Sequence, residues 1–104
     1  MSFDYEKLKD DVEAGQVQLF DVREQDEWDV GHLADAHFVP LSLLREGECP
    51  EGLDREKTTY LHCRSGRRVL EAAPMLKKMG FKNVIPLDEG FEALLGEGFR
   101  MGHD

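Results

Sequence analysis

Residues 58–79 read TTYLHCRSGRRVLEAAPMLKKM, and this stretch places a predicted strand, a cysteine and a predicted helix in direct succession. The β-rich run Thr59–His62 leads to Cys63, and the six-residue loop Cys63–Arg68 follows. The helical pattern after the loop has four apolar residues on its predicted inner face: Leu70, Ala73, Leu76 and Met79. A strand that ends in a nucleophile and turns into a helix N-terminus can bind an anion, because the unpaired amides and the positive end of the helix dipole meet there.

The residues after Cys63 favour a reactive thiolate over a structural core cysteine. Arg64, Arg67 and Arg68 place three positive charges in the loop. Gly66 allows the positive φ that a cradle of inward-facing amides requires. A thiol with a pKa of about 8.5 needs about 2 kcal/mol of preference for the thiolate to be substantially ionised at neutral pH. One or two amides at about 1.5–3 kcal/mol each, with about 0.3–1 kcal/mol from the helix N-terminus, would supply it. We therefore predict that Cys63 is a nucleophile.

Two chemistries fit such a loop: thiolate attack on phosphorus and thiolate attack on sulfur. A phosphatase of the His-Cys-x5-Arg type needs an arginine six positions after its cysteine, where it holds the phosphoryl oxygens bidentately. His62 and Cys63 match the start of that pattern. The required position is Val69, however, and Arg68 comes one residue early. The spacing favours sulfur chemistry and leaves the phosphatase as a less favoured alternative.

The composition of the 104-residue chain limits the classes of function. Its net charge of −9 argues against a nucleic-acid partner, which needs a basic face. No apolar run reaches the ~20 residues of a membrane span, and the N-terminus shows no signal-peptide pattern, so we expect a cytoplasmic location and no membrane partner. We expect neither a metal nor another cofactor, because the histidines show no metal-ligand spacing and no nucleotide-binding loop is present. The histidines are His32, His37, His62 and His103.

The second cysteine, Cys49, is predicted to have no chemical role. Two cysteines are too few for a disulfide scaffold. Cys49 lies in the acidic segment Glu48–Glu51, whose charges should raise the pKa of its thiol. We interpret it as an incidental surface or half-buried residue.

The rest of the chain alternates predicted helices and strands, which is typical of a mainly parallel α/β sheet covered on both faces. Pro74, inside the helix after Cys63, predicts either a kink or a helix divided in two. Residues 96–104 are expected to form a weakly ordered tail. The other predicted elements are a first helix with Ser2 as N-cap and Gly15 as its end, strand Val17–Val22, helix Gln25–Val30 with Trp28 and Val30 facing inward, strand His37–Leu41, a helical turn at Ser42–Arg45, a surface loop at Glu46–Lys57, strand Asn83–Leu87 and helix Gly90–Leu95.

Several sequence blocks stand in one order along the chain. They are Leu19–Glu24, Glu27 with Trp28, Gly31–Leu33, Val39–Leu41, Tyr60–Arg68, Leu76–Gly80 with Phe81, Asn83 and Val84, and Asp88–Phe91. Together they resemble the single-domain rhodanese family, the thiosulfate-type sulfurtransferases, over nearly the whole length. The chain departs from the family pattern at Ala34–His37, at Arg68 and Val69, at Pro74, and at Glu89, which replaces a glycine. These departures concern local geometry and substrate preference and leave the nucleophile in place.

The resemblance implies a single rhodanese-like domain over residues 1–104, with a three-layer α/β/α fold and a mainly parallel five-stranded sheet. It also implies a two-step sulfur transfer. Cys63 would take the outer sulfur of thiosulfate or a related small anionic donor and become a persulfide. The acceptor would be cyanide in an assay and a thiol or a protein in the cell.

The resemblance also assigns expected roles around the nucleophile. Asp21, Arg23 and His32 are expected to be structural supports beneath the loop rather than catalysts. A monomer is favoured. A regulatory module that binds a partner protein without catalysis is the alternative from a different functional class. The expected substrate-binding residues are Arg64, Ser65, Gly66, Arg67 and Arg68.

Overall fold

The structure is a computed structural model and describes residues 3–102. Its sheet has four parallel strands in the order β2-β1-β3-β4. The strands are β1 (Gln18–Asp21), β2 (His37–Phe38), β3 (Thr59–His62) and β4 (Val84–Pro86). The helices are α1 (Tyr5–Glu13), α2 (Gln25–Val30), α3 (Leu41–Arg45), α4 (Arg68–Lys78) and α5 (Phe91–Gly96). The predicted parallel α/β architecture is confirmed.

Two buried clusters, one on each face of the sheet, give the molecule its three layers. Phe20 of β1 and Leu61 of β3 belong to a cluster that includes buried residues of α3 and α4. Leu19 and Tyr60, the residues immediately before them, belong to a cluster that includes buried residues of α1 and α5. Successive strand residues point to opposite faces, so this alternation places a helical layer on each side of the sheet.

The predicted number of strands was wrong, because the described residues form four strands and not five. The sequence contains four β-rich runs, and each became one strand. The fifth strand was expected from the family resemblance alone and had no apolar run of its own. The predicted bounds Thr59–His62 are confirmed for β3, whereas the other three runs form shorter strands than predicted.

The start of α1 differs from the sequence interpretation. The N-cap is Asp4, whose side chain accepts a hydrogen bond from the backbone N–H of Lys7 at 3.0 Å. Ser2, the predicted cap, lies outside the described residues. Gly15, with φ of 74°, follows the last turn and confirms the predicted end.

The predicted inner face of the helix after the cysteine loop is confirmed at Ala73, Leu76 and Met79 and was wrong at Leu70. Val69, Ala72, Ala73 and Leu76 are its buried residues, whereas Leu70 is 65% exposed. Both stripes have helical spacing, and packing against β3 and β4 selects the one that begins at Val69. A single helix runs through the exposed residue Pro74, so of the two predicted alternatives, a kink or a divided helix, the division does not occur.

Two further expectations were wrong at the C-terminal side of α2 and at the end of the chain. Val30 does not face inward and is 91% exposed. The segment after α5 is not a loose tail, because Phe99 is buried and the backbone pairs with the turn after α2. In that pairing Ala34 donates to the carbonyl of Arg100 at 2.8 Å, and Gly102 donates to that of His32 at 2.7 Å. His103 and Asp104 lie outside the described residues.

Cys49 confirms the prediction of a half-buried residue, but the cause of its pKa shift differs. It packs with Leu53 against the cluster that contains Phe20. Burial, and not the acidic neighbours, raises the pKa of the Cys49 thiol, while Arg55 lowers it. Among residues 3–102, no helix is both long enough and apolar enough to cross a membrane.

The two leucines of α4 provide a test of the observed packing. Leu76→Ala should lower the free energy of unfolding by about 2–5 kcal/mol, because it leaves a cavity at a fully buried site. Leu70→Ala is the matched control and should change it by less than about 0.5 kcal/mol. Urea unfolding followed by circular dichroism measures both. A larger loss for Leu70→Ala than for Leu76→Ala would contradict the assigned face.

Candidate active site

Cys63 stands where β3 ends and the chain turns towards α4. His62 is the last residue of β3, and α4 begins at Arg68, so the loop occupies the gap between a sheet edge and a helix N-terminus. The Sγ atom of Cys63 accepts a hydrogen bond from the backbone N–H of Gly66 at 3.2 Å. Gly66 has the expected positive φ, 81°. With Cys63 only 1% exposed, the sulfur lies at the floor of the loop.

The loop amides determine the electrostatics of the thiol. Burial, the largest single influence, raises the pKa of the Cys63 thiol. Hydrogen bonds from the backbone N–H groups of Val69, Ser65, Gly66 and Arg68 oppose burial and hold this pKa below its ordinary value. The stabilising groups are thus backbone dipoles that the fold has already aimed at the sulfur.

The segment before α5 closes the loop from the opposite side. A Cβ on Gly90 would lie 1.8 Å from the carbonyl oxygen of Arg64, so only glycine fits there. The next residue, Phe91, donates its backbone N–H to the carbonyl of Cys63 at 2.9 Å. On the same side, a Cβ on Gly66 would lie 2.5 Å from the carbonyl oxygen of Asp88. The cysteine loop therefore depends on two glycines, one in the loop and one facing it.

The side chain of Arg68 is bound by a carboxylate of α2. Its two terminal nitrogens donate to Glu27 at 2.6 and 2.8 Å in a bidentate ion pair. This pairing with Arg68 lowers the pKa of Glu27 from 4.5 to about 2. Glu27 also accepts a hydrogen bond from the backbone N–H of Glu24 and so completes the capping box of α2. The pair joins α2 to the first turn of α4, beside the nucleophile.

The other two arginines of the loop point to solvent. Arg64 and Arg67 are exposed. In the described part of the chain neither of them has a carboxylate within ion-pair distance. Of the three predicted cations, these two therefore retain a free positive charge at the mouth of the loop. Ser65 is exposed between them, and its backbone N–H faces the thiol.

Asp21 and Arg23 form a buried ion pair at the end of β1. The guanidinium donates to both carboxylate oxygens of Asp21 at 2.8–3.1 Å and to the carbonyl of Gly31 at 2.7 Å. It also lies over the ring of Phe91, 4.2 Å from the ring centre. The pair therefore supports Phe91, whose backbone N–H donates to the carbonyl of Cys63.

The two histidines near the site have different surroundings. His32 stacks on Trp28 at 3.7 Å between ring centres, and its Nδ1 lies 3.1 Å from the carbonyl of Trp28. His62 is fully buried, and burial lowers the pKa of its imidazole. Its Nε2 lies 3.7 Å from an oxygen of Asp21. No group of three or more metal-ligating side chains is placed to hold a metal ion within residues 3–102.

An open groove of about 480 Å³ runs beside the loop. Arg64 of the loop and Phe91 of α5 both line it, so the groove starts next to the nucleophile. Val30 and Met101 add exposed apolar surface. Their proximity results from the backbone pairing of the last described residues with the turn after α2.

Glu27 and Gly90 are residues of this site whose contacts were not predicted. Each is part of a family block, but neither had been assigned a contact with the loop. Glu27 shows one local signal, since it stands three residues after Glu24 in a capping-box arrangement. Gly90 has no comparable signal, because its contact with Arg64 is made across the fold.

The chain belongs to the rhodanese-like domain family, whose pattern it matches over residues 4–97. It is 35% identical over 81 residues to the thiosulfate sulfurtransferase GlpE of Coxiella burnetii, which covers 78% of this chain and 74% of that protein. It is 36% identical over 88 residues to the probable adenylyltransferase/sulfurtransferase MoeZ of Mycobacterium tuberculosis. That match covers 84% of this chain but only 22% of MoeZ, so the chain spans about a fifth of that relative.

Solved structures show the same fold. The human single-domain sulfurtransferase TSTD1 superposes with a TM-score of 0.72 at 21% identity, covering 88% of this chain and 92% of that one. A rhodanese-related protein from Thermoplasma volcanium gives a TM-score of 0.72 at 26% identity, with 96% and 95% covered. The expected family and the three-layer α/β fold are therefore confirmed.

The contact at Gly90 can be tested with a second glycine of the same helix region. Gly90→Ala should cost at least about 2 kcal/mol of unfolding free energy, because the new methyl group has to displace the backbone at Arg64. Gly96→Ala is the control, since a Cβ there meets nothing within 4 Å. Thermal and urea unfolding measure the difference. Equal stability of the two variants would contradict the close approach.

The Glu27–Arg68 ion pair should show in the pH dependence of stability. Because the pKa of Glu27 falls from 4.5 to about 2 on folding, its contribution is complete above pH 4.5 and is lost as the pH falls towards 2. Glu27→Gln should therefore be less stable by about 1–2 kcal/mol at pH 7, with a smaller difference at pH 3. Glu51→Gln, an exposed residue, is the control. A deficit that stays constant from pH 7 to pH 3 would show that the lost stability is not electrostatic.

Proposed function

We propose that the protein is a sulfurtransferase that carries a sulfane sulfur as a persulfide on Cys63. One observation supports this function above the others. In a chain of the rhodanese-like family, a thiol with a lowered pKa lies inside a loop of inward-facing amides. Such a cradle suits a thiolate, and it equally suits the anionic sulfur of a persulfide.

The first step loads the sulfur. The Cys63 thiolate attacks the outer sulfur of thiosulfate, and a new S–S bond forms. The original S–S bond breaks, and its electron pair leaves with sulfite. Because the thiol is 1% exposed, the outer sulfur of the donor has to enter the loop. The free charges of Arg64 and Arg67 attract a small dianion to its mouth.

The second step unloads it. An acceptor nucleophile, cyanide in an assay or a thiolate in the cell, attacks the outer sulfur of the persulfide. The S–S bond to Cys63 breaks, and the electron pair returns to the cysteine as a thiolate. The two steps together transfer one sulfur atom without net oxidation or reduction of the enzyme. The loop amides stabilise the sulfur anion before and after each step.

The three arginines have different roles in this proposal. Arg64 and Arg67 recruit the anionic donor, since their charges are free. Arg68 is held by Glu27 and acts mainly to fix the first turn of α4, whose amides face the thiol. All three arginines were predicted to bind substrate, whereas this proposal gives that role to Arg64 and Arg67 alone.

The buried position of Val69 disfavours phosphatase chemistry, in addition to the spacing between Cys63 and Arg68. Val69, which stands where a phosphatase needs its arginine, is fully buried in the cluster around Phe20. An arginine side chain at that position would have to leave the core to reach a phosphoryl group. Arg68 cannot replace it without giving up its bidentate pair with Glu27.

Persulfide formation tests the proposal directly. Incubation with thiosulfate should add one sulfur atom to the protein in intact-mass analysis, and cyanide should remove it as thiocyanate. Cys63→Ser should show no added sulfur. Cys49→Ser is the matched control and should behave as wild type, because the Cys49 thiol has a raised pKa and lies outside the loop.

Two outcomes would count against this function. Added sulfur on Cys63→Ser would place the reaction elsewhere in the chain. A wild-type protein that gains no sulfur while it retains a stable protein partner would favour the non-catalytic module. The cytoplasmic location expected from the sequence stays a prediction, which cell fractionation tests.

A further inference from the structure

The groove beside the loop is lined in part by exposed apolar side chains. Val30 is 91% exposed and Met101 43% exposed, and both line the groove with the ring of Phe91. A single exposed apolar residue is ordinary, but several that line one concave surface indicate a binding site. The groove has a volume of about 480 Å³, far more than cyanide or a small thiol needs.

Acidic side chains line the same groove. Asp26 and Glu92 are exposed there, and in the described part of the chain neither has a cationic partner. The charge of Glu27 is neutralised by Arg68. The remaining free charges of the lining are thus two carboxylates and the guanidinium of Arg64, which belongs to the loop.

The groove lies next to the loop that carries Cys63. Arg64 follows Cys63 in the chain and lines the groove. Phe91 lines it too, and its backbone N–H is bonded to the carbonyl of Cys63 at 2.9 Å. A molecule that occupies the groove therefore has one end beside the loop that holds the persulfide.

We propose that this groove is the docking site for the sulfur acceptor, and that the acceptor is a protein segment with a cysteine among cationic and apolar side chains. The inference rests on the proposed sulfurtransferase function and specifies its second substrate. Apolar side chains would cover Val30 and Met101, and the cations would lie against Asp26 and Glu92. The chain's net charge of −9 would draw the same cations in from a distance.

The two substrates are thereby separated by charge. The anionic donor is attracted by Arg64 and Arg67 at the mouth of the loop, whereas the cationic acceptor is attracted by the carboxylates of the groove. An anionic acceptor would be repelled by the groove, and a cationic donor would be repelled by the loop. Opposite charge preferences at adjoining sites would prevent either substrate from occupying the place of the other.

The test uses the persulfide form of the full chain and two short synthetic peptides of equal length. Each has one cysteine and the same leucines, and they differ only in carrying lysines or glutamates. The second-order rate of sulfur transfer is followed by mass analysis and expressed relative to the rate with cyanide on the same protein. The lysine peptide should react about 10-fold faster than the glutamate peptide at low salt, with a smaller ratio at high salt.

Matched variants separate docking from the intrinsic reactivity of the peptides. Asp26→Asn combined with Glu92→Gln should reduce the ratio between the two peptides severalfold, because the groove then has no free carboxylate of its own. Val30→Ser should slow transfer to the lysine peptide. Leu70→Ser, which removes an exposed leucine outside the groove, should leave both rates at the wild-type value.

Each result decides a different question. If sulfur loads onto Cys63 but both peptides accept it at the same relative rate, the docking proposal is overturned and the sulfurtransferase function stands. The same conclusion follows if the ratio is unchanged in the double carboxylate variant. If no sulfur loads onto Cys63 from thiosulfate, the proposed function fails, and the docking proposal fails with it.

Discussion

The cysteine loop takes its shape from a close backbone contact made across the fold. Gly90 lies against the carbonyl of Arg64, with no room for a Cβ, and the next amide, that of Phe91, binds the carbonyl of Cys63. These contacts hold the loop from the side opposite α4. The amides that lower the pKa of the thiol belong to residues 65–69, and this contact encloses the same loop.

Supporting layers extend outward from that contact. Phe91 lies against the Arg23 guanidinium, which is held by a fully buried carboxylate at the end of β1. On the other side Glu27 holds Arg68 and so connects α2 to the helix whose first turn faces the thiol. Two ion pairs from neighbouring segments therefore position the loop without contacting the sulfur. Charged side chains at this site act mainly as supports, and backbone amides supply most of the field at the thiol.

The sequence around Cys63 was sufficient to predict the strand and the loop that carry it. The bounds of β3, the position of Cys63 at its end and the positive φ of Gly66 follow from a dense β-rich run and a loop that has to reach the surface. The sequence of α4 does not predict which of two overlapping apolar stripes packs against the sheet, because both have helical spacing. The stripe through Leu70 fits a helix as well as the stripe through Val69 does, and only docking onto the sheet distinguishes them. Helix α2 is too short for its pattern to fix the direction of Val30. The pair between Glu27 and Arg68 joins residues 41 positions apart, and no local pattern indicates such a pairing.

The contact at Gly90 also joins two segments that are synthesised at different times. During synthesis the ribosome releases the cysteine well before the segment Asp88–Phe91 that encloses it. A nascent chain that ends before this segment contains Cys63 but lacks one wall of its loop and the amide that binds its carbonyl. The enclosure of the thiol therefore depends on a segment that is synthesised about 25 residues after the cysteine itself.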